Sequence, residues 1–178
     1  VVDKTLTLRG PNWNHSPVNG GERVAEAVLT EGSGFTGNRA MTLDADNIVV
    51  EGLTFSDFTT PSTWTIIVNG HHENIRISRN IFENNPGSAV QNFAGEVNTN
   101  LQISENLVDG SSGVCSGFFL ENLIDSSITS NEISNVAYGG MILCSMQNLL
   151  VDGNSVAVAY KTGIQLSGTS ADVTISNN

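Results

Sequence analysis

The chain has 178 residues, with 18 acidic and 7 basic side chains and a formal net charge of −11 at pH 7. This balance excludes a nucleic-acid-binding protein, which requires a basic surface, and it disfavours unaided binding of an anionic glycan. No apolar run approaches the ~20 residues of a membrane-spanning helix, and the length suits a single domain.

The first predicted strand is Thr5–Gly10, and an inserted loop covering roughly Pro11–Arg23 follows it. The loop is rich in Asn, Gly and Pro, which favour turns over regular structure. It contains Trp13, which would either stack on a sugar or cover the end of the fold, and the second interpretation is slightly favoured. Two short strands, Ala27–Thr30 and Ala40–Leu43, are predicted to complete this first turn of the chain.

A nine-residue motif recurs along the rest of the sequence. One copy, Asn74–Phe82, reads NIRISRNIF. The other copies begin at Asn47, Asn100, Asp125, Asn148 and Asp172. Recurrence about every 25 residues is typical of a solenoid. Apolar Ile75 and Ile77 alternate with polar neighbours, which predicts a strand with one face in a core.

The seventh position of the motif is asparagine in every copy except the first, which has Leu53. These asparagines are Asn80, Asn106, Asn131, Asn154 and Asn178. Stacked at one bend, such side chains can bond in a ladder from rung to rung, and asparagine tolerates left-handed backbone angles.

Each full copy is followed by a second predicted short strand. These strands are Trp64–Val68, Ala89–Phe93, Gly117–Leu120, Gly140–Leu143 and Gly163–Leu166. A rung of this length is too short for a strand–helix–strand crossover and suits parallel strands stacking in a coil. The predicted core comprises Ile48, Val50, Phe55, Ile75, Ile77, Phe82, Leu101, Ile103, Val108, Ile128, Ile133, Leu149, Val151 and Val156, with Leu120, Leu143 and Leu166 from the opposite wall.

These motifs resemble the right-handed parallel β-helix of the pectin-lyase-like superfamily, whose coils carry an N-I-x-I-x-x-N pattern and an interior asparagine ladder. The resemblance implies an all-β fold, a right-handed parallel β-helix solenoid of about six to seven rungs. It implies one domain over residues 1–178, expected to be a fragment of a longer solenoid. It also implies a secreted, periplasmic or cell-surface location.

The resemblance implies an extracellular carbohydrate-associated module that binds or processes a polysaccharide. The alternative is a non-catalytic structural or adhesive segment of a larger surface protein. The N-T-D, D-D and G-H-G set of polygalacturonases is absent, as is the D-P-H-E motif of alginate epimerases. Whether the chain is an enzyme stays open, with the non-enzymatic reading slightly favoured, and no catalytic residue is assigned.

In β-helix polysaccharide enzymes the cleft usually lies along the outer face of the strand that carries the repeat. The candidate ligand-facing groove therefore consists of the outward residues Glu51, Arg76, Arg79 and Glu105. One reading is a charged groove for a glycan. The favoured reading is a ladder of surface ion pairs worth roughly 0–1 kcal/mol each, with a cross-rung contact expected between Arg79 and Glu105.

Metal and thiol chemistry have little support in the sequence. His71 and His72 are loop candidates for binding, but neighbouring side chains on an extended chain point in opposite directions and rarely ligate one metal. No metal site and no cofactor are expected, since the sequence lacks an Asp cluster for the calcium of pectate lyases. Cys115 and Cys144 do not share a register, so two buried free thiols are expected instead of a disulfide.

The last predicted partner is a second copy of the chain. The strand Val173–Ser176 would present unpaired backbone groups, which invite pairing with another chain. We therefore expect a homodimer or end-to-end association through the C-terminal rung, after about Thr169.

Overall fold

The computed structural model describes residues 1–60, 63–110, 116–158 and 161–178. Its secondary structure is nearly all β, and the parallel strands stack as a solenoid of about six turns, which confirms the predicted fold class and the resemblance to the pectin-lyase-like β-helix. A single 3-10 turn in the described residues spans Val18–Gly20. Among the same residues, no helix is long and apolar enough to cross a membrane.

The strands of the described residues are numbered in chain order. They are β1 (Leu6–Arg9), β2 (Val28–Leu29), β3 (Arg39–Leu43), β4 (Ile48–Glu51), β5 (Thr54–Ser56), β6 (Trp64–Val68), β7 (His72–Glu73), β8 (Arg76–Ser78), β9 (Ile81–Glu83), β10 (Val90–Asn92), β11 (Asn98–Thr99), β12 (Gln102–Ser104), β13 (Leu107–Asp109), β14 (Ser116–Glu121), β15 (Leu123–Thr129), β16 (Glu132–Val136), β17 (Gly139–Cys144), β18 (Gln147–Asp152), β19 (Ser155–Val158), β20 (Thr162–Ser167) and β21 (Ala171–Ser176).

The strands form three parallel sheets that run along the solenoid. The first sheet carries the start of each repeat and stacks β1, β4, β8, β12, β15, β18 and β21. In the same sheet β11 pairs with β15, and β7 pairs with β11. The second sheet follows the asparagine bend and stacks β2, β5, β9, β13, β16 and β19. The third sheet stacks β3, β6, β10, β14, β17 and β20. The predicted strand Trp64–Val68 is β6, and the four later short strands differ from β10, β14, β17 and β20 by one residue at each end.

Successive repeats pair in the predicted register. Ile77 lies opposite Val50 on one side and Ile103 on the other, and the column continues through Ile128 to Val151. Because strand side chains alternate between faces, this register places every repeat's apolar residues in one continuous core.

The predicted core is confirmed at all positions but one. Its members are buried, or in the case of Val156 packed partly buried against the core. Phe55 and Phe82 stack across adjacent rungs with ring centres 5.3 Å apart. Leu166 is 41% exposed, because β20 is the edge of the third sheet and no described strand covers its other side.

The asparagine bend is held by side chains inside the fold. Asn106 Oδ1 accepts hydrogen bonds from the backbone N–H of Asn80 at 3.0 Å and from Asn80 Nδ2 at 3.2 Å. In the same way, the side-chain oxygens of Asn131, Asn154 and Asn178 each accept two hydrogen bonds from the asparagine of the preceding rung, one from its backbone N–H and one from its Nδ2. Leu53 ends the column, and its N–H donates to Asn80 Oδ1 at 3.1 Å.

The left-handed residue at this bend is the one before the asparagine. Arg79 has a φ of 56° and Glu105 a φ of 54°, whereas Asn80 and Asn106 are not among the positive-φ residues. The asparagine therefore contributes its amide to the bend, and its neighbour adopts the unusual backbone angle.

Candidate functional site

The inserted loop is packed onto the solenoid at the first asparagine bend. A Cβ at Gly52, which has a φ of 71°, would lie 2.2 Å from the backbone nitrogen of Trp13, so only glycine allows this close approach. Asn12 is fully buried, and its side chain exchanges two hydrogen bonds with the backbone of Val24, at 3.0 and 2.8 Å. Trp13 is 42% exposed, and its ring lies 4.6 Å from the guanidinium carbon of Arg9.

Glu51 faces away from the core but is only 1% exposed. One carboxylate oxygen contacts Arg9 Nε, and the other lies 3.1 Å from Arg76 Nη2. Two arginines from flanking rungs therefore satisfy this buried carboxylate. Because Glu51 is buried beneath these two arginines, a large ligand does not reach its carboxylate.

Arg79 and Glu105 form a bidentate ion pair across adjacent rungs. Arg79 Nη2 lies 2.7 Å from Glu105 Oε1, and Arg79 Nε lies 3.2 Å from Glu105 Oε2. Arg79 also donates to the carbonyl oxygen of Trp13 at 3.2 Å. All four residues of the candidate groove are thus engaged with each other, with Arg9 or with the inserted loop.

The His72 ring contacts three neighbouring polar groups. Its Nδ1 lies 3.1 Å from Asp46 Oδ1, and its Nε2 lies 2.8 Å from the carbonyl oxygen of Asn69 and 3.4 Å from Asp44 Oδ1. Burial alone would lower the pKa of His72, but the hydrogen bonds to Asp46, Asn69 and Asp44 outweigh it and raise that pKa above its ordinary value.

The side chains that could ligate a transition metal form no ligand cluster in the described residues. His71 is engaged through Nδ1, which accepts the backbone N–H of Val97 at 3.0 Å. Cys144 is a free, partly exposed thiol with Sγ 3.0 Å from Ser167 Oγ, so it is not buried as expected. Cys115 lies outside the described residues. Within those residues no group of three or more His, Cys, Asp and Glu side chains could hold a metal ion.

A cleft of about 320 Å³ opens on the outer face of the third sheet. Its lining consists of Trp64, Ser88, Gln91, Ser116, Phe119, Tyr138 and Ile142. Ile67, Gln91, Phe119 and Ile142 form one outward column across β6, β10, β14 and β17. Ile67 and Ile142 are 0% and 5% exposed although they lie outside the core cluster. The outer face of this sheet is therefore apolar at its floor.

Two basic side chains lie against aromatic rings on this face. The Trp64 and Phe93 rings meet edge to face with centres 5.7 Å apart, and the guanidinium carbon of Arg39 lies 5.0 Å from the Phe93 centre. Lys161 Nζ lies 3.9 Å from the ring centre of Tyr138, which is 47% exposed. Such cation–π contacts help to hold the rings in place.

Sequence reasoning placed the candidate groove on the first sheet and missed this cleft. The signal was present in the predicted strand Trp64–Val68, where Ile66 and Val68 point into the core and Ile67 must point outward. Period-two alternation applied to the second strands would have shown aromatic and apolar side chains on their outer face.

No curated protein and no solved structure matches the chain. The family described as "Periplasmic copper-binding protein (NosD)" matches residues 18–178. Copper in proteins favours His, Cys and Met ligands. Met41, Met141 and Met146 are buried in the core, and no group of three His, Cys, Asp or Glu side chains in the described residues could hold a metal ion, so these residues do not fit a copper centre. A periplasmic family agrees with the predicted location outside the cytoplasm. Since the match covers most of its length, the chain belongs to the NosD family.

Proposed function

We propose that this periplasmic β-helix module binds a glycan, and that the glycan lies in the cleft on the outer face of the third sheet. The observation that carries the proposal is the lining of that cleft, which combines three aromatic rings with the side-chain amide of Gln91 and two serine hydroxyls. Apolar walls with a few polar groups are the usual composition of a small-molecule site.

The geometry of the cleft suits an extended sugar chain. Aromatic rings present broad flat faces that pack against the C–H face of a pyranose, while the amide and hydroxyl groups can bond its hydroxyls. Adjacent rungs lie about 4.8 Å apart, which matches the length of one sugar residue. A glycan that runs along the solenoid would therefore meet a new rung with each residue.

The proposal is limited to binding. Hydrolysis of a glycosidic bond requires a pair of carboxyl groups on either side of the bond. The described lining residues of the cleft are aromatic, aliphatic, amide and hydroxyl side chains. These groups account for recognition and orientation of a sugar.

The proposal is tested with a panel of soluble neutral polysaccharides and the variant Trp64→Leu. We expect at least one glycan to bind the wild-type chain and Trp64→Leu to weaken that binding about tenfold or more, since the largest ring of the cleft is lost. Isothermal titration calorimetry measures both affinities.

The matched control is Trp13→Leu, the same substitution in the inserted loop. It should leave the affinity within about twofold of wild type. If no glycan of the panel binds, the proposal fails and a purely structural role remains. If Trp13→Leu abolishes binding and Trp64→Leu does not, the ligand lies on the loop and not in the cleft.

A further inference from the structure

Gln91 places a polar group between two apolar residues on the floor of the cleft. It lies opposite Ile67 on one side and Phe119 on the other, and it lines the cleft. The residue is 9% exposed. Its side-chain amide makes no hydrogen bond to any residue in the described part of the chain.

The amide of Gln91 is open to a ligand in the cleft. Its nitrogen and oxygen are not among the fully buried polar atoms that lack a partner in the described residues, so water reaches them and a ligand can replace that water. The amide of Gln91 offers two donor hydrogens and one acceptor oxygen side by side. A ligand that satisfies it must present a donor and an acceptor close together, as two adjacent hydroxyl groups of a sugar do.

The charges around the cleft bear on whether the ligand is neutral or anionic. No charged side chain is among the described residues that line it. The nearby cations Lys161 and Arg39 lie over the rings of Tyr138 and Phe93. A carboxylate brought into this site would lose hydration without gaining a buried cationic partner, and the chain's net charge of −11 would add repulsion.

We infer that Gln91 is the specificity-determining residue of the cleft, and that it selects a neutral sugar with adjacent free hydroxyls over the corresponding uronate. The inference rests on the proposed glycan-binding function. Gln91 bonds the hydroxyls of one sugar residue, the flanking rings hold its apolar face, and the uncharged lining rejects a carboxylate at C6.

The test compares pairs of oligosaccharides that differ only in charge. The probes are neutral hexasaccharides of glucose, mannose and galactose, each paired with the same oligomer oxidised at C6 to the uronate. Wild-type chain should bind at least one neutral oligomer about tenfold or more tightly than its oxidised counterpart. Calorimetric titration at constant ionic strength gives both affinities.

The variant Gln91→Met keeps the length of the side chain and removes both hydrogen-bonding functions. It should weaken binding of the neutral oligomer about tenfold. The control Gln165→Met makes the same change in the same outward column, on β20, at an exposed residue that does not line the cleft. Its affinity should equal that of wild type. Circular dichroism shows whether each variant is folded, and Gln91→Glu replaces Gln91→Met if the latter is not, with the same expected loss.

The outcomes separate the two claims. Equal affinity for neutral and oxidised oligomers overturns the inference and leaves glycan binding intact. Unchanged affinity in Gln91→Met also overturns it, since solvent and not the sugar then satisfies the amide. Failure of every oligomer to bind overturns the proposed function and the inference together.

Discussion

The substitution Asn106→Ala measures how much the asparagine column contributes to the stability of this fold. Asn106 is fully buried, and its Nδ2 donates to the carbonyl of Ile77 at 2.9 Å and to Asn131 Oδ1 at 3.0 Å. Its Oδ1 accepts from the backbone N–H and from the Nδ2 of Asn80. Truncation to alanine removes all four of these bonds.

The cost is set by the groups that keep no partner, and not by the number of bonds. Asn80 Nδ2 still donates to the carbonyl of Val50 at 3.0 Å, and Asn131 Oδ1 still accepts the backbone N–H of Asn106 at 3.0 Å. The backbone N–H of Asn80 loses its acceptor. One buried donor left without a partner costs about 1–3 kcal/mol, and we expect the free energy of unfolding to fall by that amount.

The exposed asparagines on the first sheet supply a control. Asn74 donates to Asn47 Oδ1 at 3.1 Å and accepts from Asn100 Nδ2 at 2.8 Å, but the side chain is exposed. Its φ of 58° suits glycine, so Asn74→Gly removes a stacked amide without backbone strain. Its unfolding free energy should change by less than about 0.5 kcal/mol.

Chemical denaturation followed by circular dichroism measures both variants against wild type. A midpoint for Asn106→Ala equal to that of wild type would show that the interior amides do not stabilise the bend. Equal losses in the two variants would contradict the argument from burial, because both substitutions break amide–amide bonds and only one leaves a buried donor unpaired.

Three further results are expected. Replacing Arg79 and Glu105 together by Gln should change the unfolding free energy by about 0–1 kcal/mol, and a loss of several kcal/mol in a denaturant melt would contradict it. The pKa of His72 is raised in the folded protein. The free energy that this histidine adds to folding is therefore complete below its unfolded pKa of about 6.5 and is lost as the pH rises through the folded pKa. Melting curves from about pH 6 to about pH 8 should show this fall in stability in the wild type and not in His72→Gln. The polypeptide of residues 1–178 should self-associate through its last rung, where Leu166 and Ile175 are 41% and 46% exposed. Light scattering measures the oligomeric state. A wild-type chain that is only monomeric, or a Leu166→Lys variant that associates as the wild type does, would contradict this expectation.

The repeat made the fold predictable from the sequence. Each inward residue of a rung stacks on its equivalent in the next, so the same apolar pattern must return with every turn. That requirement predicts both the register of Ile77 with Ile103 and the bounds of β6. Leu166 departs from the pattern because burial depends on a neighbouring rung, and its strand has a described neighbour on one side only.

The outer faces follow no such rule, so alternation alone does not show which outward residues are buried or where a cleft forms. Glu51 is outward in the strand pattern, yet it is buried because Arg9 and Arg76 cover it from flanking rungs. The close approach of Trp13 to Gly52 depends on how a loop of irregular sequence returns to the surface. Contacts of this kind join segments far apart in sequence, and alternation within one strand does not encode them.

The third sheet shows the difference between the two kinds of column most clearly. Its inner column is apolar at every rung, through Met41, Ile66, Val90, Phe118, Met141 and Ile164. Its outer column reads Thr42, Ile67, Gln91, Phe119, Ile142 and Gln165. Stacking in the core explains the first series, and exposure explains Gln165 at the edge. Gln91 has neither explanation, since it is only 9% exposed and flanked by apolar residues, while its unbonded amide is open to the cleft. A ligand that bonds its amide would account for the residue at this position.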